Sequence, residues 1–281
     1  MHHIHGTVNA LLTPLFAGST IEFLFPFNVD AVWERLAAPF LADGKSKEPI
    51  TFLTVVPTVY HRFLNTYDKL PIPTKEAVKK ALAPENLRLN ISGSAALPTP
   101  TKKAWKELSG GNVLLERYGM TEVGMALSCG LDFKDRVDGS VGWPLPSVQV
   151  RLVDTEGNEV IPLGEEVDKD GKEREGEIQL RGPTVFEEYW RNEKATAEEF
   201  VEGDDGGGKW FKTGDIATRR IIEGAGQSGQ EWAKGPMYFI RGRKSTDIIK
   251  TGGEKVSALE IERELLSLWV PTFCLFTIEL S

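Results

Sequence analysis

The stretch Val113-Leu114-Leu115-Glu116-Arg117-Tyr118-Gly119-Met120-Thr121-Glu122 joins a short apolar run to an aromatic ring, a glycine, a hydroxyl and a carboxylate. The apolar part predicts a buried strand, and the residues after it predict a turn at the end of that strand. In such a turn Tyr118 can stack on a base, Gly119 lets the backbone approach a phosphate, Thr121 can donate to a phosphoryl oxygen, and Glu122 can bind Mg²⁺. Taken alone, a packed tyrosine and a solvated glutamate are the commoner interpretation, so the rest of the chain decides.

Strands and helices alternate before this stretch. The β-branched run 50–56 predicts a strand that ends at Pro57, and helical spacing follows over 58–67. The chain then predicts a helix at 74–82, a strand at 87–91 and a helix at 99–108. This order favours an α/β fold in which a parallel sheet binds ligands beyond the carboxyl ends of its strands.

Two candidate ligand-binding segments lie at such strand ends. Ser92-Gly93-Ser94-Ala95-Ala96 follows one predicted strand, and residues 118–122 follow the next. Small residues in the first segment would let a ligand lie against backbone amides. A tight turn that requires small residues explains that segment equally well.

From about residue 139 the sequence changes to short strands separated by glycine and proline. Predicted strands at 148–153, 177–181, 210–212, 216–222 and 237–240 are typical of a small barrel or sandwich. Further on, Ser257-Ala258-Leu259-Glu260 is a capping box that predicts a helix to about residue 268.

Composition excludes several classes of protein. The 281 residues contain 41% hydrophobic residues and carry a net charge of −8, which indicates a globular protein without the basic footprint of a nucleic-acid binder. Cys129 and Cys274 lie far apart and have no metal-binding spacing, so a reducing compartment fits and a zinc site does not. No apolar run reaches the roughly 20 residues of a membrane span.

Further candidate site residues lie in the β-rich part. Asp215 follows Thr213-Gly214 at a predicted turn, where its two oxygens can accept hydrogen bonds from both hydroxyls of a ribose. Arg243 and the residues after it supply cations that can neutralise phosphate, and glycines there allow a close approach of backbone to a cofactor. An ordinary aspartate turn and a solvated basic turn remain alternatives.

Six segments, taken together and in order, resemble the adenylate-forming acyl-CoA synthetases. Their sequences are most similar to those of the malonyl-CoA synthetase branch. The resemblance runs from Met1 to about residue 268. The six segments are 92–98, 116–122, 139–146, 176–183, 210–215 and 241–256, and the finer match lies in 2–12, 116–127 and 247–259.

This resemblance implies a two-step reaction that uses ATP, Mg²⁺ and CoA. A carboxylate attacks the α-phosphate to give an acyl-adenylate and pyrophosphate, and the CoA thiol then displaces AMP. For the nucleotide and the metal, the resemblance implies Tyr118 against adenine, Gly119 beside the nucleotide, Thr121 on the α-phosphate, Glu122 on Mg²⁺, and Asp215 with Arg243 on the ribose. Around the acyl group it implies Ser94 and Ala95 beside the adenine and acyl groups and His3 near the acyl group and pyrophosphate. For the CoA step it implies a loop that contains Lys250, Gly252 and Gly253.

The implied substrate is malonate or a related carboxylic acid. A dicarboxylate requires a second cation for its distal charge, and Arg62 and Arg88 are the arginines nearest in sequence to the acyl-site segments. A solvated arginine that binds no substrate is the alternative at both positions.

The resemblance also predicts the domain organisation. Residues 1–147 correspond to part of a large α/β adenylation domain, 148–244 to its β-rich module, and 245–281 to the start of a small C-terminal domain. The family's phosphate-binding loop and catalytic lysine lie outside the matched segments, so we expect a fragment that is inactive by itself. The alternatives are a non-catalytic AMP- or ATP-binding relative and a non-functional truncated product.

Relatives of this branch occur in mitochondria and in the cytoplasm, so the cellular location of the protein is left open.

Overall fold

The computed structural model describes residues 3–41, 47–245, 247–251 and 254–267. A π-helix at Thr7–Leu12 continues directly between the first two helices. The α-helices are α1 (Ile4–Gly6), α2 (Thr13–Phe16), α3 (Val29–Ala37), α4 (Pro57–Tyr67), α5 (Ile72–Leu82), α6 (Thr99–Leu108), α7 (Glu193–Glu199) and α8 (Ala258–Ser267). The strands are β1 (Phe52–Val55), β2 (Leu89–Ser92), β3 (Leu115–Met120), β4 (Gly124–Ser128), β5 (Ser140–Pro144), β6 (Gln149–Asp154), β7 (Val160–Ile161), β8 (Gly176–Arg181), β9 (Phe200–Val201), β10 (Trp210–Arg220), β11 (Met237–Arg243), β12 (Ile248–Thr251) and β13 (Glu254–Ser257).

The predicted α/β fold class is confirmed, and three strands form its parallel part. β1 pairs with β2 and β2 pairs with β3 in parallel, so that Thr54 lies opposite Ile91 and Ile91 opposite Leu115. Helices α4 and α6 pack through Tyr60 and Trp105, whose ring centroids are 4.8 Å apart in the core. The described helices include none long and apolar enough to cross a bilayer.

The sheet changes from parallel to antiparallel at β3. In the described part of the chain, the ladder continues from β3 in the order β4, β5, β11, β10, β8, β6 and β7, with β9 paired beside β10. All of these later pairs are antiparallel. The β-rich part is therefore joined to the parallel part by continuous backbone hydrogen bonding.

Two sequence-based predictions of turns are wrong. β3 extends to Met120 because its second half pairs with β4, where Tyr118 lies opposite Leu127. The predicted strands 210–212 and 216–222 form the single strand β10, interrupted by a register shift between Lys212 and Ile216. Tyr118 and Asp215 therefore lie in strands rather than in turns.

A buried ion pair attaches α6 to β3. Lys102 Nζ donates to Glu116 Oε1 at 2.7 Å and to the carbonyl oxygen of Val137 at 3.2 Å. Both charged side chains are less than 10% exposed. Burial alone disfavours the charged amine, but the adjacent Glu116 carboxylate outweighs this effect and raises the pKa of Lys102. The pair holds the start of the strand that carries Arg117 and Tyr118.

The C-terminal described elements are a hairpin and a helix. β12 and β13 pair in an antiparallel hairpin, with Ile248 opposite Ser257, and α8 begins at Ala258 as the capping box predicts. The expected domain boundaries at 147/148 and 244/245 stay predictions.

Candidate active site

Three predicted site residues come together across adjacent strands. Asp215 on β10 lies directly opposite Arg243 on β11. The hydroxyl of Tyr118 donates to Asp215 Oδ2 at 2.6 Å, and Arg243 Nε lies 3.3 Å from Asp215 Oδ1. Tyr118 and Arg243 thus share the carboxylate of Asp215, which lies 97 positions after Tyr118 in the chain.

The bulge in β10 fixes the backbone around Asp215. The N–H of Asp215 donates to Thr213 Oγ1 at 3.1 Å, and Thr213 Oγ1 donates to the carbonyl oxygen of Ile178 at 2.8 Å. Gly214 has φ +72°, and its N–H donates to Glu177 Oε1 at 3.0 Å. These bonds satisfy the backbone where the ladder is interrupted, so the carboxylate is held in position.

Asp215 is 7% exposed, whereas the Arg243 side chain is 59% exposed. Burial raises the pKa of the Asp215 carboxyl, although the Tyr118 hydroxyl and Arg243 both favour its ionised form. The carboxylate is therefore a sheltered acceptor beside an accessible cation. Such a pair can recognise a polar ligand that carries both hydroxyls and negative charge.

Thr121 and Glu122 occupy the turn between β3 and β4, beside Tyr118. Thr121 is exposed and Glu122 is half-buried. The turn is closed by a hydrogen bond from Val123 N–H to the carbonyl oxygen of Met120 at 3.1 Å. The predicted hydroxyl and carboxylate therefore lie at an accessible turn.

The structure provides a reason for Gly119 that differs from the predicted one. A Cβ at this position would lie 2.0 Å from the carbonyl oxygen of Gly124. The β3–β4 ladder shifts register between Tyr118 and Gly119, which brings the two backbones this close. Close packing within the sheet requires the glycine, and its approach to a phosphate stays a prediction.

The sequence-based prediction named His3, which is exposed at the start of α1, and its contact with an acyl group or pyrophosphate stays a prediction. The nearby His5 is buried instead. His5 is 3% exposed, and its Nε2 lies 2.8 Å from Thr54 Oγ1 while its Nδ1 lies 3.2 Å from Asn9 Nδ2. The segment after β2 accommodates this ring, because a Cβ on Gly93 would lie 2.4 Å from His5 Nδ1.

Residues Ser94 and Ala95 are exposed beyond the end of β2. Ser94 has φ +67°, a left-handed conformation that is uncommon outside glycine. The prediction that this segment follows a strand end is confirmed. Its contact with an adenine or acyl group stays a prediction.

Arg117 was not among the predicted site residues. It donates to Asn9 Oδ1 through Nη1 and to Ser128 Oγ through Nε at 3.2 Å. Burial lowers the pKa of its guanidinium. The two adjacent charged residues Glu116 and Arg117 in the run Leu114 to Met120 were the available sequence signal.

A cavity of about 450 Å³ lies between the N-terminal helical segment and β1, with Arg117 in its wall. Asn9, Thr54 and Arg88 also line it, together with apolar residues such as Leu53 and Ile91. Arg62 is not among the lining residues, and its guanidinium carbon instead lies 6.0 Å from the ring centroid of Phe27. Of the two predicted substrate arginines, the structure brings only Arg88 to this cavity.

The predicted CoA-step loop is described only in part. Lys250 lies in β12, and its side chain lies outside the described residues, as do Gly252 and Gly253.

Burial of His5 predicts a pH dependence of stability. Burial, followed by the nearby charges of Arg117 and His3, lowers the pKa of His5 from 6.5 to about 4. The unfolded chain therefore binds a proton on His5 below pH 6.5, whereas the folded chain does so only below about 4. The free energy of unfolding should fall as the pH falls through this window, by up to about 3 kcal/mol at 1.36 kcal/mol per pH unit.

Urea unfolding at several pH values measures this effect. His5→Gln should flatten the pH dependence between pH 6.5 and 4, and the control His61→Gln, at an exposed position, should retain it. A His5→Gln protein with the wild-type pH dependence would contradict the assignment.

Comparison with known proteins identifies the family. Residues 1–190 match the AMP-binding enzyme family. The chain belongs to this family. The AMP-binding enzymes that it resembles include a CoA ligase of Gibberella moniliformis, 62% identical over 290 residues, which covers 95% of this chain and 47% of that protein. The mitochondrial malonate–CoA ligase ACSF3 of Mus musculus is 45% identical over 280 residues, covering 95% of this chain and 43% of that enzyme.

Solved structures of AMP-binding enzymes confirm the fold. ATP-bound MatB from Rhodopseudomonas palustris superposes with a TM-score of 0.68 at 34% identity and covers 95% of this chain and 43% of MatB. A malonyl-CoA ligase product complex, with methylmalonyl-CoA and AMP bound, has a TM-score of 0.62 at 37% identity and covers 94% of this chain and 47% of that ligase. The predicted resemblance to acyl-CoA synthetases of the malonyl-CoA branch is confirmed. The chain spans less than half the length of these relatives.

Proposed function

We propose that this AMP-binding enzyme chain forms the nucleotide- and carboxylate-binding part of an AMP-forming malonate–CoA ligase. The observation that carries the proposal is the network of Tyr118, Asp215 and Arg243 beside the Thr121–Glu122 turn. In the proposed reaction, malonate attacks the α-phosphate of ATP and releases pyrophosphate. The CoA thiol then attacks the acyl-adenylate and releases AMP.

Nucleotide binding is proposed to centre on Asp215. The carboxylate of Asp215 would accept hydrogen bonds from the ribose hydroxyls. Arg243 would favour the charged form of that carboxylate and bind the same sugar. The ring of Tyr118 would pack against adenine while its hydroxyl stays on Asp215. Thr121, exposed on the adjacent turn, would donate to the α-phosphate.

Glu122 fits a magnesium ion that is shared with phosphates. Mg²⁺ usually keeps several waters and binds one or two protein carboxylates together with substrate phosphates. The described residues contain no cluster of three or more His, Cys, Asp or Glu side chains for a metal, and Glu122 would be a donor of this single-carboxylate kind. When bound, the ion would neutralise charge on the phosphates.

Malonate selection is proposed to rest on Arg117, with Arg88 as a second cation in the cavity. Arg117 is half-buried, and in the described chain its hydrogen-bond partners are the neutral side chains of Asn9 and Ser128. Removing a guanidinium even partly from water without a carboxylate beside it costs free energy, and a bound anion would supply the missing charge. The distal carboxylate of malonate has that charge and is small enough for the 450 Å³ cavity.

Turnover is proposed to need two further cationic elements of the family, a phosphate-binding loop and a catalytic lysine. Loss of transition-state stabilisation of this kind costs about 2.7–4 kcal/mol for each group. We therefore propose that these 281 residues bind ligands but release pyrophosphate poorly by themselves. The alternative is a non-catalytic nucleotide-binding relative. It predicts that this chain binds the same ligands and that an extended protein also shows no turnover.

A pyrophosphate-release assay with ATP, Mg²⁺ and malonate tests the proposal. It compares this chain with a version extended at both ends to the length of its relatives. The extended protein should turn over, and Arg117→Gln in it should raise the KM for malonate about 10- to 100-fold, since a charged hydrogen bond contributes about 1.5–3 kcal/mol.

The matched control is Arg62→Gln, because Arg62 does not line the cavity. It should leave the KM for malonate unchanged. An extended protein that is inactive with malonate would reject the ligase function. A normal KM in Arg117→Gln would reject only the role of Arg117.

A further inference from the structure

The turn that carries Glu122 is tied to the loop 182–192, between β8 and α7. The N–H of Phe186 donates to the carbonyl oxygen of Glu122 at 2.8 Å. The hydroxyl of Tyr189 reaches the side chain of the same residue and donates to Glu122 Oε1 at 3.1 Å. One loop thus holds both the backbone and the carboxylate of Glu122.

Tyr189 is itself held at several points. Its N–H donates to Thr196 Oγ1 at 2.9 Å, and Thr196 Oγ1 donates to the carbonyl oxygen of Asn192 at 3.0 Å. Its ring packs edge-on against Phe186, with centroids 4.7 Å apart. The position of the hydroxyl is therefore set by the loop and not by Glu122 alone.

Phe186 anchors the loop to the β-rich core. Its ring centroid lies 5.4 Å from that of Phe200 and 5.2 Å from that of Phe211. Phe211 is a buried residue of β10, the strand that also carries Asp215. The loop is thus attached to the same strand as the proposed ribose carboxylate.

We propose that Tyr189 is a positioning residue that holds Oε1 of Glu122, so that Oε2 is the oxygen presented to the divalent cation of a bound metal–nucleotide complex. In the described chain, Oε2 of Glu122 has no hydrogen-bond partner. A carboxylate with one oxygen already bonded is restricted in its rotation, so less conformational freedom is lost when a cation binds to the other.

Tyr189 supplies the O–H donor of this contact, and Oε1 of Glu122 is the acceptor.

This inference rests on the proposed function, because it needs a metal–nucleotide complex beside Glu122. Partners that orient metal ligands typically contribute 10- to 100-fold to metal affinity. We expect the lower end, about 10-fold, because Glu122 is half-buried rather than enclosed.

The test is Mn²⁺ binding to the full 281-residue chain in the presence of α,β-methylene-ATP, with free Mn²⁺ measured by electron paramagnetic resonance. Tyr189→Phe removes the hydroxyl and keeps the ring. It should raise the apparent Kd for Mn²⁺ about 10-fold while leaving metal-free AMP affinity and the melting temperature near wild type. A Kd for Mn²⁺ within twofold of wild type would overturn the inference.

The matched control is Tyr67→Phe, which removes another half-buried hydroxyl, hydrogen-bonded to the carbonyl oxygen of Lys75 at 3.3 Å. It should leave Mn²⁺ binding unchanged. Thr196→Val removes the acceptor of the Tyr189 N–H and should also weaken Mn²⁺ binding. This variant tests the positioning role of Tyr189 if Tyr189→Phe does not fold.

A double-mutant cycle separates positioning from a structural effect. If Tyr189 acts through Glu122, Tyr189→Phe should have no further effect on the Kd for Mn²⁺ once Glu122 is replaced by Gln. Additive effects would overturn the inference. If the unmodified chain binds neither AMP nor the Mn²⁺–analogue complex, the proposed function fails and the inference fails with it. If it binds both and Tyr189→Phe behaves like wild type, only the inference fails.

Discussion

Replacing Asp215 by alanine is expected to raise the Kd for AMP about 100-fold or more. The change removes an acceptor for two proposed hydrogen bonds from the ribose, each worth about 1.5–3 kcal/mol for a charged partner, so that about 3 kcal/mol of binding free energy is lost. It also leaves the hydroxyl of Tyr118 without the partner that it now has at 2.6 Å. Isothermal titration calorimetry with AMP measures the loss directly.

Asp205→Ala provides the matched control. Asp205 is also a carboxylate paired with an arginine, because Arg181 donates to both of its oxygens at 2.7 Å, but it lies in a different loop. AMP affinity should remain at the wild-type level in this variant. An Asp215→Ala protein that is folded and binds AMP normally would show that the nucleotide does not bind at the β10–β11 pair.

Replacing Lys102 by methionine is expected to destabilise the protein by about 3–5 kcal/mol, because it removes the cation that lies 2.7 Å from the buried carboxylate of Glu116. Glu116 is 7% exposed and has its salt bridge to Lys102 at 2.7 Å. At about 2–4 °C for each kcal/mol in a chain of this size, the melting temperature should fall by roughly 6–20 °C. Differential scanning calorimetry at neutral pH provides the measurement.

Two further variants decide whether the charge is responsible. Lys103→Met changes an exposed neighbour on α6 and should leave the melting temperature unchanged. Adding Glu116→Leu to Lys102→Met removes the buried carboxylate as well and should recover much of the lost stability. If the double variant melts as low as Lys102→Met, lost packing rather than the loss of the cation beside Glu116 explains the effect.

Local patterns predicted several helices well. The helix predicted at 99–108 is found as Thr99–Leu108, and α4 ends at the predicted Tyr67. Helix spacing and proline positions are properties of a few neighbouring residues, so they are readable from the sequence. The match of residues 1–190 to the family confirms the interpretation drawn from motif order.

The errors arose where distant residues determine the backbone. Tyr118 and Asp215 looked like turn residues because glycine stands next to each, but pairing with Leu127 and Arg243 keeps them in strands. The enclosure of His5 could not be predicted for the same reason, because it depends on packing against Thr54 and Gly93. The role of His3 stays a prediction. Such contacts depend on tertiary structure rather than on local propensity.

The continuous hydrogen-bonded ladder from β1 to β7 fixes the distances between the residues of the proposed site. Arg117 and Tyr118 are consecutive residues of β3, and backbone hydrogen bonds connect this strand through β4, β5 and β11 to Asp215 on β10. If an acid binds at Arg117 and a nucleotide at Asp215 as proposed, the distance between them would be set by strand geometry, and a longer acid would not gain room by separating these two residues. Selection among acids of different chain length would then depend on the sheet itself. Changing the register of β3 against β4 would alter this selection more than replacing residues that line the cavity.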